Sequence, residues 1–253
     1  MKVTLLSYTP DPEQLVAAAA KLCYSSSVDI ATLMDDLTSE KTERFLNKLM
    51  DLGHLSPVEH VSFTFAIEGV SRAFLAQITR HRVGVSFSVR SQRYVSEENF
   101  GTVAPKAIEA NDEARVVYSS TIADIKNAYK KLKDIGLKNE DARAILPNAC
   151  ETRMIVTMNA RELMHYFNER CCRRAQAEHR AVANEMLRIC KHVAPILFKN
   201  AGPKCVKGYC PEGSMSCGKA PTLDKLLNFW KKSASERKGE HYAKGFERLE
   251  GPQ

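Results

Sequence analysis

The sequence predicts a mixed α/β (α+β) protein, and three patterns support this prediction. Residues His60–Glu68 alternate apolar and polar side chains, as a half-buried strand does. Residues Glu109–Gly136 and Ala160–Phe198 repeat apolar residues at helical spacing, with a break expected near Pro195. The chain has 253 residues, 44% hydrophobic and 26% charged, so it is long enough for a sizeable core and is not a disordered chain.

The first quarter of the chain adds one strand and two helices to this pattern. Residues Lys2–Ser7 (KVTLLS) are predicted to form a short strand. Residues Asp11–Tyr24 follow a Thr-Pro pair and contain four consecutive alanines, which predicts a helix. Residues Ser39–Leu52 repeat apolar residues at helical spacing and stop at Gly53, so they predict a second helix.

The elements after the best strand are shorter. Residues Ser71–Thr79 predict a helix, and Val83–Val89 alternates weakly, as an edge strand does. Residues Asn139–Ala144 open a short helix that Pro147 interrupts. Residues Glu151–Asn159 fit a strand or a helix equally well.

The composition changes after Gly202–Pro203, so we predict a domain at 1–202 and a basic, cysteine-containing C-terminal appendage at 203–253. The appendage contains a Lys-rich candidate helix, Leu223–Ser235. Its cysteines, with Cys190 and His192 upstream, offer zinc ligands but lack the CxxC spacing, so we favour reduced thiols. These cysteines are Cys205, Cys210 and Cys217.

Several functional classes are excluded or disfavoured by the sequence. No two glycines are separated by a single residue, so the dinucleotide-binding fingerprint is absent. The GxxxxGK(S/T) phosphate-binding loop of nucleoside triphosphatases is absent as well. The longest run without a charged residue is 8 residues, as in Val3–Pro10, which is too short to span a bilayer. The N-terminus lacks signal-peptide features, and we expect a soluble cytoplasmic protein. The net charge of +7 favours anionic ligands in general.

Three segments carry candidate chemistry. Five arginines lie between Arg72 and Arg93 with no acidic side chain among them, which suits phosphate capture more than a solvated helix face. A second basic cluster runs from Arg161 to Arg180, where polar residues at spacings of 4 and 3 share one helix face. The third segment, Gly53–His60, holds two histidines at a spacing that is not typical of zinc, and we expect no metal.

Three blocks of sequence resemble the flavin-dependent thymidylate synthases. These blocks are GHLSPVEH at 53–60, QITRHR followed by SQRY at 77–94, and NARELMHYFNER at 159–170. The family signature is RHR, seven residues and a serine, whereas eight residues separate Arg82 from Ser91 here. The family often has an acidic residue two positions before this serine, and this chain has Val89.

The resemblance implies a central, largely antiparallel sheet flanked by helices, assembled as a homotetramer with shared active sites. It implies the methylation of dUMP to dTMP, with methylenetetrahydrofolate as carbon donor and FAD, reduced by NADPH, as hydride carrier. Arg170 matches the arginine that activates the uracil, and His54 matches a histidine near the flavin and folate. The flavin contacts would be Ser56, Arg80, His81, Arg82, Asn159, Arg161 and His165. The dUMP contacts would be Gln77, Arg80, Ser91, Gln92, Arg93, Arg143 and Arg170.

Two alternatives stay open at this stage. The same arginines could bind nucleic acid, but such surfaces interleave basic residues with exposed aromatics, and only Phe87 and Tyr94 lie within the arginine block. We therefore do not expect nucleic acid to be the ligand. A related flavoprotein acting on another pyrimidine nucleotide would carry much the same motifs.

Overall fold

The computed structural model describes residues 1–25 and 37–220, which form four strands and eight α-helices. The strands are β1 (Lys2–Tyr8), β2 (Ser62–Ser71), β3 (Val85–Val89) and β4 (Glu151–Asn159). The helices are α1 (Pro12–Leu22), α2 (Ser39–Asp51), α3 (Arg72–Ile78), α4 (Lys106–Glu109), α5 (Asp112–Asp134), α6 (Asn139–Ala142), α7 (Ala160–Arg170) and α8 (Ala177–Val193). The predicted helix at Leu223–Ser235 lies outside the described residues.

The chain divides into two compact units, Met1–Pro203 and Lys204–Gln253. All the strands and α-helices given above belong to the first unit. The described part of the second unit contains two short 3-10 helices, Lys204–Lys207 and Gly213–Met215. No helix within residues 1–25 or 37–220 is long and apolar enough to cross a membrane.

The four strands form one antiparallel sheet in the order β1-β2-β4-β3. The largely antiparallel sheet is therefore confirmed, and the segment that fitted a strand or a helix equally well, 151–159, is a strand. The long pairing of β2 with β4 includes Phe65 opposite Val156, both fully buried. Because strand side chains alternate between faces, such pairs cover one face of the sheet with apolar groups.

The core lies against this apolar face. Phe63, Phe65 and Ile67 of β2 pack with apolar residues of α1, α7 and α8 in one buried cluster. On the opposite face Thr64 and Thr157 share a hydrogen bond of 2.9 Å between their hydroxyl groups, and both residues are only partly buried. The sheet therefore has one covered and one partly open face.

The predicted helix Glu109–Gly136 is wrong at its start. The structure has the single turn α4 and then a new helix, α5, because Asn111 adopts an extended conformation and its Oδ1 accepts a hydrogen bond from Ala114 N at 2.9 Å. An asparagine in this role caps a helix and fixes its first residue. The only buried residue of α5 is Tyr129, while Val116 is 69% exposed and Val117 is 61% exposed.

The predicted helix Ala160–Phe198 is also interrupted, but not only near Pro195. Helix α7 ends at Arg170, and residues 171–176 form a turn before α8 begins. Arg180 Nη1 donates to the carbonyl oxygens of Arg173 at 2.7 Å and Ala175 at 3.4 Å, which satisfies two turn carbonyls that a continuous helix would have paired. Helix α8 ends at Val193, so the break near Pro195 is confirmed.

Candidate active site

The RHR segment, residues 80–82, follows α3 and presents its side chains alternately to solvent and to the core. Arg80 and Arg82 are exposed, whereas His81 is buried. The backbone N–H of His81 donates to the carbonyl of Ile78 at 3.1 Å, which closes a tight turn at the end of α3. This turn directs the imidazole inward and leaves two guanidinium groups at the surface.

His81 is held by a line of side chains along one face of α7. Its Nδ1 lies 2.6 Å from Oε1 of Glu162, and its Nε2 lies 3.2 Å from Nε of Arg170. The rings of His165 and Tyr166 stand edge-on to His81, with centroids at 5.6 and 5.1 Å. Because residues four apart lie on the same helix face, Glu162, Tyr166 and Arg170 all contact this one imidazole.

The partners of His81 select its tautomer. Arginine nitrogens only donate hydrogen bonds, so Nε2 of His81 must accept from Arg170. The proton of the neutral ring is then on Nδ1, from where it is donated to the carboxylate of Glu162. The three groups form a chain that runs from an acid through an imidazole to a guanidinium. Within the described residues, no other hydrogen-bond partner is found for Arg170, so its terminal nitrogens are available to a ligand.

A second histidine, His179, lies behind this chain on α8. It is fully buried, its ring stands 4.6 Å from that of Phe74 and 5.5 Å from that of Tyr166, and neither of its nitrogens has a hydrogen-bond partner in the described part of the chain. Burial, followed by the nearby charge of Arg170, lowers the pKa of His179 from 6.5 to about 3. His179 therefore stays neutral throughout the physiological pH range.

The first turn of α8 fixes α3, which carries the RHR segment at its end. Glu178 accepts two hydrogen bonds of 2.6 Å from Ser71, one from its backbone N–H and one from its hydroxyl. The side chains of Gln77 and Gln176 also bond to each other. The predicted ligand residue Gln77 is thus anchored to the N-cap residue of α8.

A second group of predicted site residues gathers around Glu140. Arg93 Nε lies 2.6 Å from Oε2 of Glu140, and Arg143 Nε donates to the Glu140 carbonyl at 3.3 Å. Ser91 Oγ accepts a hydrogen bond from the backbone of Arg93 at 3.2 Å. Gln92 is only 7% exposed, and its side-chain Nε2 has no hydrogen-bond partner among the residues that the structure describes. The structure therefore brings Ser91, Gln92, Arg93 and Arg143 together and leaves one buried donor unsatisfied.

A third group joins the start of α7 to the 3-10 helix Ser56–His60. Arg161 forms an ion pair with Glu59, which belongs to the same short helix as Ser56. Asn159 caps α7 because its Oδ1 accepts from Glu162 N at 2.8 Å. His54 is exposed, and the only hydrogen bond found for it within the described residues joins its backbone N–H to the carbonyl of Leu49 at 3.2 Å. The structure does not bring His54 into any of the three groups.

Sequence reasoning missed the acids that hold these groups, namely Glu59, Glu140 and Glu162, and it missed the buried His179. One signal was available for Glu162, because its spacing of four to Tyr166 and eight to Arg170 places all three on one helix face. Glu59 and Glu140 pair across the fold, so no local pattern could identify them.

His81, Glu162 and His165 also satisfy the spacing of a metal site, the single such group among the described residues. The tail cysteines in the described range do not form a group of this kind. However, both nitrogens of His81 are already engaged, and the adjacent guanidinium of Arg170 disfavours a second cation. The geometry is that of a hydrogen-bonded chain and not of a cation site.

Arg80 and Arg82 have no ion-pair partner within residues 1–25 and 37–220, and two further arginines converge at Glu140. An antiparallel sheet packed on helices, with exposed guanidinium groups beside an acid–histidine–arginine chain, defines an enzyme-like α+β protein that binds anionic small molecules.

Residues 4–196 match the family model described as "Thymidylate synthase complementing protein". The chain is similar to proteins named flavin-dependent thymidylate synthase from several organisms. It is 52% identical to that of Geobacter sulfurreducens over 229 residues, which cover 90% of this chain and 98% of the relative. It is 50% identical to that of Clostridium tetani over 242 residues (89% and 96%) and 37% identical to that of Pyrococcus furiosus over 246 residues (94% and 99%). The chain belongs to the flavin-dependent thymidylate synthase family.

Proposed function

We propose that this protein is a flavin-dependent thymidylate synthase that methylates dUMP to dTMP. Methylenetetrahydrofolate is the carbon donor, and FAD reduced by NADPH is the hydride carrier. The observation that carries the proposal is the contact of Arg170 with the imidazole of the RHR segment at 3.2 Å, because it joins two of the blocks that match the family. The RHR segment and Arg170 therefore belong to one site.

The dUMP would be held by the group around Glu140 together with residues near His81. Arg93 and Arg143 are suited to the nucleotide phosphate, since a guanidinium presents paired donors to phosphate oxygens. The unsatisfied Nε2 of Gln92 is a buried donor that a ligand acceptor would satisfy. The complete set proposed for dUMP is Gln77, Arg80, Ser91, Gln92, Arg93, Arg143 and Arg170.

The residues proposed for FAD include arginines whose positive charge complements the negative pyrophosphate of the cofactor. Arg80 and Arg82 are exposed and lack ion-pair partners in the described residues, so they are suited to the pyrophosphate. Both nitrogens of His81 are engaged by other side chains, so His81 would contact the cofactor through its ring face or backbone. The set is Ser56, Arg80, His81, Arg82, Asn159, Arg161 and His165. When bound and reduced, the flavin supplies the hydride.

The catalytic contribution of the chain itself centres on Arg170. Uracil C5 is a weak nucleophile unless negative charge develops on the ring, and a fixed guanidinium beside the ring stabilises that charge as an oxyanion hole does. Arginine is suited to this role because it remains protonated. His54, exposed beside the segment that carries Ser56, is proposed to act near the flavin and folate.

We also propose that the protein works as a homotetramer with shared active sites. Helix α5 spans 23 residues yet buries only Tyr129, and it exposes Val116 and Val117. Apolar residues left in water on one long helix are typical of a surface covered by another subunit. Light scattering should give four times the chain mass of 28.3 kDa, and Val116→Glu should lower it. An unchanged mass in that variant would contradict the proposal that α5 lies in the subunit interface.

The visible absorption spectrum of the purified protein with added FAD tests the proposed function directly. A bound-flavin spectrum that dUMP perturbs is expected, together with dTMP formation when NADPH and methylenetetrahydrofolate are added. Arg170→Ala should abolish dTMP formation while the flavin spectrum persists. A protein that neither binds FAD nor responds to dUMP would contradict the proposal.

A further inference from the structure

Glu162 stands at a position where the local sequence predicts a different role. Asn159 is the N-cap of α7, and a glutamate three residues after the cap ordinarily bonds back to the backbone N–H of the capping residue. Here the N–H of Asn159 donates instead to the carbonyl of Gly84 at 2.9 Å. The carboxylate of Glu162 is therefore not needed for capping, and it turns toward His81.

The contact of Glu162 with His81 is buried and short. The Glu162 and His81 side chains are 10% and 5% exposed, and their atoms are 2.6 Å apart. A buried carboxylate next to an imidazole favours the tautomer that donates to it, as in other sites where an acid orients a histidine. The opposite tautomer would place an N–H of His81 against the N–H of Arg170.

We propose that Glu162 is a positioning residue of the active site: it fixes the Nδ1–H tautomer of His81, and His81 in turn holds Nε of Arg170, so that the terminal nitrogens of Arg170 face the nucleotide. This inference rests on the proposed function of Arg170. It assigns to Glu162 no contact with dUMP or flavin and no proton transfer. Its effect on the substrate passes entirely through His81.

The substitution Glu162→Gln removes the charge while nearly preserving the size of the side chain. We expect the kcat/KM for dUMP to fall at least about tenfold, as commonly follows loss of a group that orients a functional side chain. The Kd for dUMP, measured by calorimetry on the FAD-loaded protein, should rise, while the melting temperature stays close to that of the wild type. Glu185→Gln is the matched control, because it removes a carboxylate that pairs with Arg188 on α8, at 2.6 Å, and should leave both constants unchanged.

A double-mutant cycle with His81→Leu distinguishes positioning from a direct or merely structural role. If Glu162 acts through His81, adding Glu162→Gln to His81→Leu causes no further loss in dUMP affinity. Losses that add in the double variant would overturn the inference. If Glu162→Gln does not fold, Glu162→Asp replaces it in the same cycle, because it keeps the charge but withdraws it from the ring.

The failure of this inference is distinguishable from failure of the proposed function. A wild-type protein that makes no dTMP and binds no dUMP would refute the proposed function. A wild-type protein that is active, with Glu162→Gln equal to it in kcat/KM and in dUMP affinity, would refute only the role of Glu162.

Discussion

The buried His179 should make the protein sensitive to mild acid. Its pKa is about 3 in the folded protein and 6.5 in the reference state, because the fully buried ring is shielded from water and lies near the guanidinium of Arg170. Between these values the unfolded chain binds a proton that the folded protein does not. The contribution of His179 to the unfolding free energy is therefore fully present above about pH 6.5, and it is lost progressively as the pH falls toward 3.

The size of the effect follows from the two pKa values. Between pH 7 and pH 5, His179 should cost the folded protein about 2 kcal/mol. The substitution His179→Phe keeps a planar ring between Phe74 and Tyr166 but cannot titrate. The difference in unfolding free energy between variant and wild type should thus shift by about 2 kcal/mol in favour of the variant over this interval.

Urea unfolding monitored by circular dichroism at pH 7 and pH 5 measures this shift. The change in unfolding free energy between the two pH values is compared for each protein. Any effect of the larger phenyl ring that does not depend on pH therefore cancels. The matched control is His60→Phe, which makes the same substitution at an exposed histidine. Parallel pH dependences for His179→Phe and the wild type would refute the argument that burial holds His179 neutral.

Three further changes test other features of the fold. Asn159→Ala removes the cap of α7 and should lower the unfolding free energy by about 1 kcal/mol, which thermal unfolding would detect. Gly84→Ala should lower the unfolding free energy by about 1 to 2 kcal/mol or more, because Gly84 has a φ of +68° and a Cβ there would lie 2.5 Å from the Asn159 side chain. A melting temperature equal to that of the wild type would contradict this. Burial raises the pKa of the Cys171 thiol to about 12 and that of Cys190 well above its usual value. Iodoacetamide at pH 8 should therefore modify the exposed Cys23 and Cys217 before either buried thiol, and early labelling of Cys171 or Cys190, detected by mass spectrometry, would contradict this.

The sequence predicted three of the four strands and most helix positions because these depend on local periodicity, whereas residues 151–159 fitted a strand or a helix equally well. The alternation of His60–Glu68 located β2, although residues 56–60 form a 3-10 helix and the strand begins at Ser62. The break between α7 and α8 was not predicted, since the carbonyls of that turn are satisfied by Arg180, a side chain on the following helix.

The same distinction applies to the site. Its cationic residues stood out as motifs, so they were predicted as candidates. Their acidic partners were not, because Glu59 lies 102 residues from Arg161 and Glu140 lies 47 residues from Arg93. Pairings over such distances are set by the tertiary structure. The capping pattern at Asn159 even suggests the wrong partner for Glu162, which bonds to His81.

The turn at 171–176 has a consequence for how this protein can vary. It begins directly after Arg170, which bonds to His81, and it ends at Gln176, which bonds to Gln77. Both ends are therefore tied to α3 and the segment that follows it. Arg173 between them is exposed and takes part in this turn through its backbone carbonyl, so its side chain can change at little cost. An insertion or deletion would pull one of the two anchors away, so related enzymes should vary in the residues of this turn while keeping its length.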